Sequence, residues 1–399
     1  MKSYLQLTRH VGNNDLFLAV EMSLISTMRG SPLHIHAEGL RGTGKTTIMR
    51  SVKQILPTIT RIKNCLYNCD PQKPHCPLHR HLSADEIAEL GTEEIPMPFL
   101  EISHSAKIGT VAGSIDLTKL TNPAHPEAAI LPGIIPQAHR GIIFVDEINR
   151  LADTSPEIAD VLLDVMGTKP GRIQIEETGL PIVEIPVSVS VWAASNPDEE
   201  PGPLEEIRRQ LADRFDLVIS MGRPSTPEEV VEILSTCEET ENTDRELSPQ
   251  EKKRLERLQK ELLEIASQNS LKMPDYLINF LANLYIKYNI ESLRALEAIR
   301  QAAILHCALR RRKQVMISDI MAVLPMALNH RVAPTTLQEI MKYVNSRLTG
   351  EPSEEKLKKG EKPLQQSSPT GEDEAPPRRA RFLRDIIGNA VIKREETDL

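Results

Sequence analysis

The chain has 399 residues, 40% of them hydrophobic and only 3% aromatic, enough for two or three domains whose cores must be built mainly from aliphatic side chains. A formal net charge of −8 argues against a general nucleic-acid or membrane-surface binder, and no run of about 18 apolar residues is present to span a membrane. The first ten residues carry no signal-peptide pattern, and five cysteines at this length do not make a secreted disulfide framework, so a reducing, cytoplasmic setting is expected.

Asn13 or Asn14 is placed to cap a helix in which Leu16, Phe17, Val20, Leu24 and Ile25 recur at helical spacing. Residues 32–38 are short and partly alternating and read as a strand. Residues 47–56 are apolar at helical spacing and are stopped by Pro57. Between them, Gly39-Leu40-Arg41-Gly42-Thr43-Gly44-Lys45-Thr46 fits G-x-x-x-x-G-K-[ST] in the strand–loop–helix context that this phosphate-cradling motif requires. The glycines let backbone N–H groups turn toward phosphate without a Cβ in the way, and the helix start, continued by Thr47, favours the same negative charge. Lys45 can reach the β- and γ-phosphates of ATP, and the Thr46 hydroxyl can hold Mg²⁺.

Residues 65–81 hold three of the five cysteines and three histidines in a Pro- and Asn/Asp-rich loop. Cys65, Cys69, Cys76 and His79, spaced C-x₃-C-x₆-C-x₂-H, could supply four soft ligands to zinc or to an iron–sulfur cluster, although this is not a standard zinc-finger spacing. The alternative is a surface loop with incidental thiols. Residues 96–102 read as a second strand. Residues 106–138, rich in Gly and Pro with Asp116-Leu117-Thr118-Lys119-Leu120 in the middle, read as an insertion that decorates a core.

The apolar run Gly141–Val145 ends in Asp146-Glu147, the pattern of a buried parallel strand with acids at its carboxyl end, where ligands of open α/β sheets bind. Asp146 is the candidate to orient Mg²⁺ or its water ligands, and Glu147 to polarise the water that attacks the γ-phosphate. A helix is expected over 155–166. Residues 171–176 and 182–185 flank a Gly-Leu-Pro turn and read as a β-hairpin, assigned to 171–186. The strand 187–196 ends in Asn196, which either holds the attacking water or makes an Asx-turn. Arg214 precedes the strand 217–219; it is either solvated or an arginine finger for a neighbouring subunit's site.

From residue 226 the pattern becomes helical, with segments at 228–239, 248–267, 274–289, about 293–312 and 318–328. Arg294, near a helix start, either reaches back to the nucleotide or lies on the surface. Arg310–Lys313 sits near a helix C-terminus, where positive charge is favoured, and is not read as nucleic-acid binding. The expected division is therefore an α/β P-loop domain over 1–225, a helical domain over 226–348 and a disordered, Pro/Glu/Lys/Ser-rich tail over 349–399.

These stretches together resemble an AAA+ ATPase, and more closely the ATPase (I-type) subunit of magnesium chelatase. The resemblance is carried by Gly39–Thr46, Pro132-Gly133, His139–Asn149, Ser195–Glu200, Leu211–Phe215 and Ser292-Leu293-Arg294, with an insertion before the acidic strand and a hairpin before Asn196. It spans roughly residues 10–345 and implies an AAA+ P-loop core with a parallel sheet and a C-terminal helical lid. It also implies an ATP- and Mg²⁺-dependent ring motor, usually a homo-hexamer, driving a partner subunit that inserts a metal into a tetrapyrrole. On this resemblance Lys45, Thr46, Asp146, Glu147, Asn196, Arg214 and Arg294 take the roles given above. The family's usual Leu-Arg-Pro is here Glu206-Ile207-Arg208-Arg209, and the Cys/His loop and the tail are extra. A second reading is a MoxR-like remodelling ATPase acting on a partner with a von Willebrand A domain. A switch GTPase is weaker, since no Asn-Lys-x-Asp motif is present.

Overall fold

The structure is a computed structural model that describes residues 3–115, 130–175, 182–241, 248–268 and 270–349. The hairpin turn at 176–181, the insert segment Asp116–Leu120 and nearly all of the expected tail lie outside the described residues. Met1–Glu351 forms one compact unit.

The first half of this unit runs α1 (Asn14–Met28), β1 (Ile35–Glu38), α2 (Lys45–Ser51), β2 (Thr58–Ile62), α3 (Ala84–Leu90), β3 (Thr92–Pro96), β4 (Phe99–Ile102), α4 (Ile108–Val111), β5 (Gly113–Ile115), β6 (Ile130–Pro132) and α5 (Ile134–Gln137). It continues through β7 (Gly141–Val145), α6 (Ile148–Thr154), α7 (Pro156–Val165), β8 (Gly171–Ile175), β9 (Val183–Val187), β10 (Val189–Ser195), α8 (Leu204–Arg214) and β11 (Leu217–Ser220). Among the described residues only helices follow: α9 (Pro227–Glu241), α10 (Pro249–Ser267), α11 (Asp275–Lys287), α12 (Leu293–Leu309), α13 (Ile317–Leu328) and α14 (Pro334–Thr349).

The main sheet has five strands in the order β11-β1-β10-β7-β4, every neighbouring pair parallel. All residues of β7 and β10 are buried, as strands covered on both faces require. Side chains alternate between two apolar layers. Ile142, Phe144, Trp192 and Ala194 join α1 and α2, whereas Ile143, Val145, Val191 and Ala193 join α5 to α8 and the β8–β9 hairpin. The first layer continues unbroken into α10–α14. Helix α1 is the hinge of this arrangement: it touches β1, β7, β10 and β11 and also α10 and α12. The change of pattern at 226 is thus a change of secondary structure, while the core runs through it.

Several local expectations change. Asn13 sits at the N-cap of α1 but makes no capping bond, because its amide accepts from the His10 N–H (2.9 Å) and donates to the Thr8 carbonyl (3.0 Å). The strand expected over 96–102 is two strands broken at Met97-Pro98: β3 pairs antiparallel with β2, and β4 joins the main sheet. Within the insert, Val111 and Ile135 are fully buried, so it contributes to the second layer as well as decorating it. Helix α14 lies beyond the helices read from the pattern. Among the described residues no helix is long and apolar enough to cross a membrane.

Candidate functional site

Strand β1 ends at Glu38 and the chain turns at Gly39, whose φ is +153° and where an added Cβ would fall 2.8 Å from that of Met221. Gly44, at φ +85°, closes the loop in the left-handed region and delivers Lys45 as the first residue of α2. The loop borders a cavity of about 260 Å³ lined by Arg41, Gly42, Thr43, Gly44, Lys45, Thr46, Thr47, Asp146, Glu147, Ser195 and Asn196. Gly39 and Leu40 stand behind it, their carbonyls accepting hydrogen bonds from Lys45 Nζ. Lys45 Nζ also donates to Asn196 Oδ1 at 2.8 Å. Burial pushes the Lys45 ammonium below its ordinary range, against the pull of Asp146 and Glu199.

The carboxyl end of β7 supplies the acids. Thr46 Oγ1 lies 3.2 Å from Asp146 Oδ1, so one hydroxyl and one carboxylate converge beside the lysine. Glu147 takes the left-handed conformation (φ 52°, ψ 50°), rare for a residue with a side chain, and so ends the strand and starts α6 in one step. Its carboxylate is 3.0 Å from Arg150 Nη1.

The sequence reading missed four supporting residues. Arg50, one and a half turns along α2, reaches Glu101 (2.9 Å) and Asp146 (3.4 Å) and balances charge behind the acids. His36 Nε2 is 2.9 Å from Ser195 Oγ and ties the end of β10, hence Asn196, to β1. Burial, and then Lys45, pushes the His36 imidazolium down to about 3, so the ring is neutral. Glu38 Oε1 is buried without a hydrogen-bond partner, and burial, with Glu205, pushes its carboxyl up to about 7. Asn149 donates to the carbonyls of Asn196 (3.4 Å) and Gly202 (3.0 Å), fixing the turn after β10.

Arg214 and Arg294 do not line this cavity. They line a second one, of about 400 Å³, with Lys169, Asp213, Arg300 and Arg331 among its walls. Arg294 Nη2 donates to the Gly167 carbonyl at 3.0 Å, while Arg331 binds Asp213 (3.1 Å) and the Phe215 carbonyl (2.7 Å). Burial and then the charge of Arg294 push the Arg214 guanidinium down, a sign of cations gathered in one place. Arg294 thus stands in the second cavity and not in the one that Lys45 lines. Cys65, Cys69, Cys76 and His79 form a third location, sharing no residue with either cavity.

A family model described as the AAA lid domain matches residues 278–362, from within α11 through α14 and onward. The magnesium-chelatase 38 kDa subunit of Acidiphilium rubrum is 29% identical over 335 residues, covering 83% of this chain and 92% of that protein. The magnesium-chelatase subunit ChlI homolog of Methanocaldococcus jannaschii is 29% identical over 331 residues, covering 82% and 84%. A structure of the complex between subunits BchI and BchD of magnesium chelatase aligns with a TM-score of 0.45 at 23% identity, over 85% of this chain and 98% of that one. Likeness to magnesium-chelatase subunits thus runs along most of the chain, and the AAA lid match falls on the terminal helices that follow the five-stranded parallel sheet, so the chain resembles these magnesium-chelatase subunits.

Proposed function

We propose that this chain is an ATP-hydrolysing motor that works as a homo-oligomeric, hexameric ring and drives a separate subunit inserting a metal into a tetrapyrrole. The observation that carries the ATPase reading is the convergence of Lys45, Thr46, Asp146, Glu147 and Asn196 on one cavity behind a glycine loop. That donor set fits Mg·ATP: an ammonium for phosphate oxygens, a hydroxyl and a carboxylate 3.2 Å apart for a hard divalent cation, and backbone with no side chain in the way. Bound there, Mg²⁺ would neutralise charge on the phosphates.

The remaining steps belong to the protein. Lys45 leaves its loop carbonyls for phosphate oxygens. Glu147 releases Arg150 and accepts a proton from the attacking water, which Asn196 orients. Arg214 and Arg294, which do not line the nucleotide cavity of their own subunit, act on the phosphates of the next one, so a single chain is an incomplete enzyme. The chelatase part of the proposal rests on the relatives, which are named as magnesium-chelatase subunits. A partner with a von Willebrand A domain is the expected recipient of the motor's work.

Two variants test the hydrolysis step. Glu147→Gln should retain Mg·ATP affinity and lose about 10²–10⁴ of turnover, because only proton acceptance is removed. Lys45→Ala should lose binding itself. Wild-type turnover in Glu147→Gln, measured as phosphate release, would contradict the assignment.

A further inference from the structure

Between Ile62, the last residue of β2, and Ala84, the first of α3, the chain forms no helix and no strand beyond an isolated bridge between Asp70 and Lys73. Yet Cys65, Cys69 and Cys76 are exposed by only 2%, 0% and 0%. Irregular backbone seldom buries thiols so completely without something to close around. All three thiols are free, and their sulfurs lie within 4.8 Å of one another and of a His79 ring nitrogen. His79 Nδ1 is 3.2 Å from Cys76 Sγ.

We propose that Cys65, Cys69, Cys76 and His79 bind one tetrahedral zinc ion, and that this ion fastens residues 130–140 to the foot of β7. A tetrahedron with Zn–S bonds of about 2.3 Å and a Zn–N bond of about 2.0 Å has edges of roughly 3.5–3.8 Å. Four ligand atoms all within 4.8 Å therefore need only small shifts to share one ion. An iron–sulfur cluster carries its thiolates on separate irons and spreads them further apart than ligands of a single ion, so the compact set favours zinc.

The backbone is arranged for this purpose. A tight turn at Asp70–Lys73 (Lys73 N–H to Asp70 carbonyl, 3.0 Å) folds Cys76 back on Cys69. A further turn, with the His79 N–H donating to the Cys76 carbonyl at 3.1 Å, swings His79 onto the same side. The backbone N–H groups of His75 and Cys76 point at Cys69 Sγ (3.4 and 3.3 Å), the outer-shell bonds that favour a metal-bound thiolate. On binding, three thiols release their protons to solvent and His79 enters as neutral imidazole through Nδ1. The net −1 left on the site faces Arg61, whose Nη1 donates to the Cys65 carbonyl (3.1 Å) and to Asn68 Oδ1 (2.8 Å).

Packing alone does not account for the cluster. Cysteine serves well as a small apolar filler, but a filler role would not draw a half-exposed imidazole onto a sulfur. A disulfide would pair two of the three thiols and strand the third.

The loop's other contacts show what the ion would brace. Tyr67 Oη donates to the Ile130 carbonyl of β6 (3.1 Å), and Asn68 Nδ2 to the Gln137 carbonyl at the end of α5 (2.6 Å). The His75 ring stacks on His139 at 3.7 Å, and His139 Nδ1 accepts from the Ser188 N–H (3.1 Å). All of these meet the chain just before Gly141, at the end of β7 opposite Asp146 and Glu147. The ion would hold residues 130–140 against the sheet without touching the nucleotide.

The test uses the full chain, purified anaerobically under reducing conditions without chelator, with zinc and iron measured by mass spectrometry. The expected result is about one zinc per chain in the wild type and in His75→Ala, and less than about a tenth in Cys69→Ser and His79→Ala. Because Cys69→Ser could fail to fold, stripped wild-type protein is also titrated with Co²⁺. The intense visible absorption of tetrahedral cobalt–thiolate should saturate at about one equivalent. On stripping, hydrogen exchange should rise in residues 58–81 and 130–140 while nucleotide affinity holds. Iron with cluster absorbance, zinc below about a tenth of an equivalent with no cobalt spectrum, equal zinc in all variants, or unchanged exchange on stripping would overturn the proposal.

Discussion

Replacing Glu38 by glutamine should stabilise the protein at alkaline pH and leave it unchanged in acid. Glu38 is the last residue of β1, its side chain 16% exposed and one carboxylate oxygen without a hydrogen-bond partner. The nearest basic atom, His36 Nδ1 at 3.5 Å, belongs to a ring kept neutral by burial, so it offers no ion pair. Raising a carboxyl from 4.5 to about 7 places a penalty of about 3 kcal/mol on its ionised form. Below the unfolded value Glu38 is protonated in both states and its contribution is fully present; that contribution is lost as the pH rises through about 7. A glutamine side chain at this position carries no charge to desolvate. His36, whose folded value is lowered, loses its contribution progressively as the pH falls from 6.5 toward about 3, and does so in both proteins, so it cancels in the difference. Urea unfolding can be followed through Trp192, the only tryptophan and fully buried. The Glu38→Gln protein should be more stable than wild type by up to about 3 kcal/mol above pH 8, with the gap closing below about pH 4.5. A gap that is constant with pH, or a less stable variant at pH 8, would refute the reasoning.

Two other predictions concern the C-terminal helices and the proposed magnesium ligand. Asp319 is fully buried and is held by His306 Nδ1 (2.6 Å), the Met316 N–H (2.8 Å) and Arg312, so Asp319→Ala should cost about 3–5 kcal/mol in urea unfolding by leaving those donors unpaired; a loss below about 1 kcal/mol would count against it. Asp146→Asn should lower the apparent Mg²⁺ affinity in the ATPase assay at least tenfold, since the oxygen facing Thr46 loses its charge; an unchanged Mg²⁺ titration would remove Asp146 from that role.

The parts legible in sequence were those whose chemistry is written in spacing. The phosphate loop needs glycines at fixed intervals, and β7 needs an unbroken apolar run before its acids, so both could be read residue by residue. Strand β2 could not: only Ile59 and Ile62 of Thr58–Ile62 are buried, and the polar residues between them hide the period. Arg50, His36 and Glu38 were invisible because their roles depend on what the neighbouring strand carries. His36 matters because parallel register sets it level with Ala193 and brings its ring to Ser195. Arg294 shows the same limit, since its position near a helix start says nothing about which cavity that helix faces. That is set by the packing of α12 against α1 and α13.

The claim that one subunit's Arg214 completes another's site is tested most directly by mixing two inactive proteins. Arg214→Ala keeps Lys45, and Lys45→Ala keeps Arg214; each alone should hydrolyse ATP at least about a hundredfold more slowly than wild type. Mixed rings contain interfaces that join an intact Lys45 to an intact Arg214, so phosphate release should rise well above either parent and peak at intermediate ratios. Rates that only interpolate between the parents at every ratio, with mixed rings verified by mass spectrometry, would contradict the account.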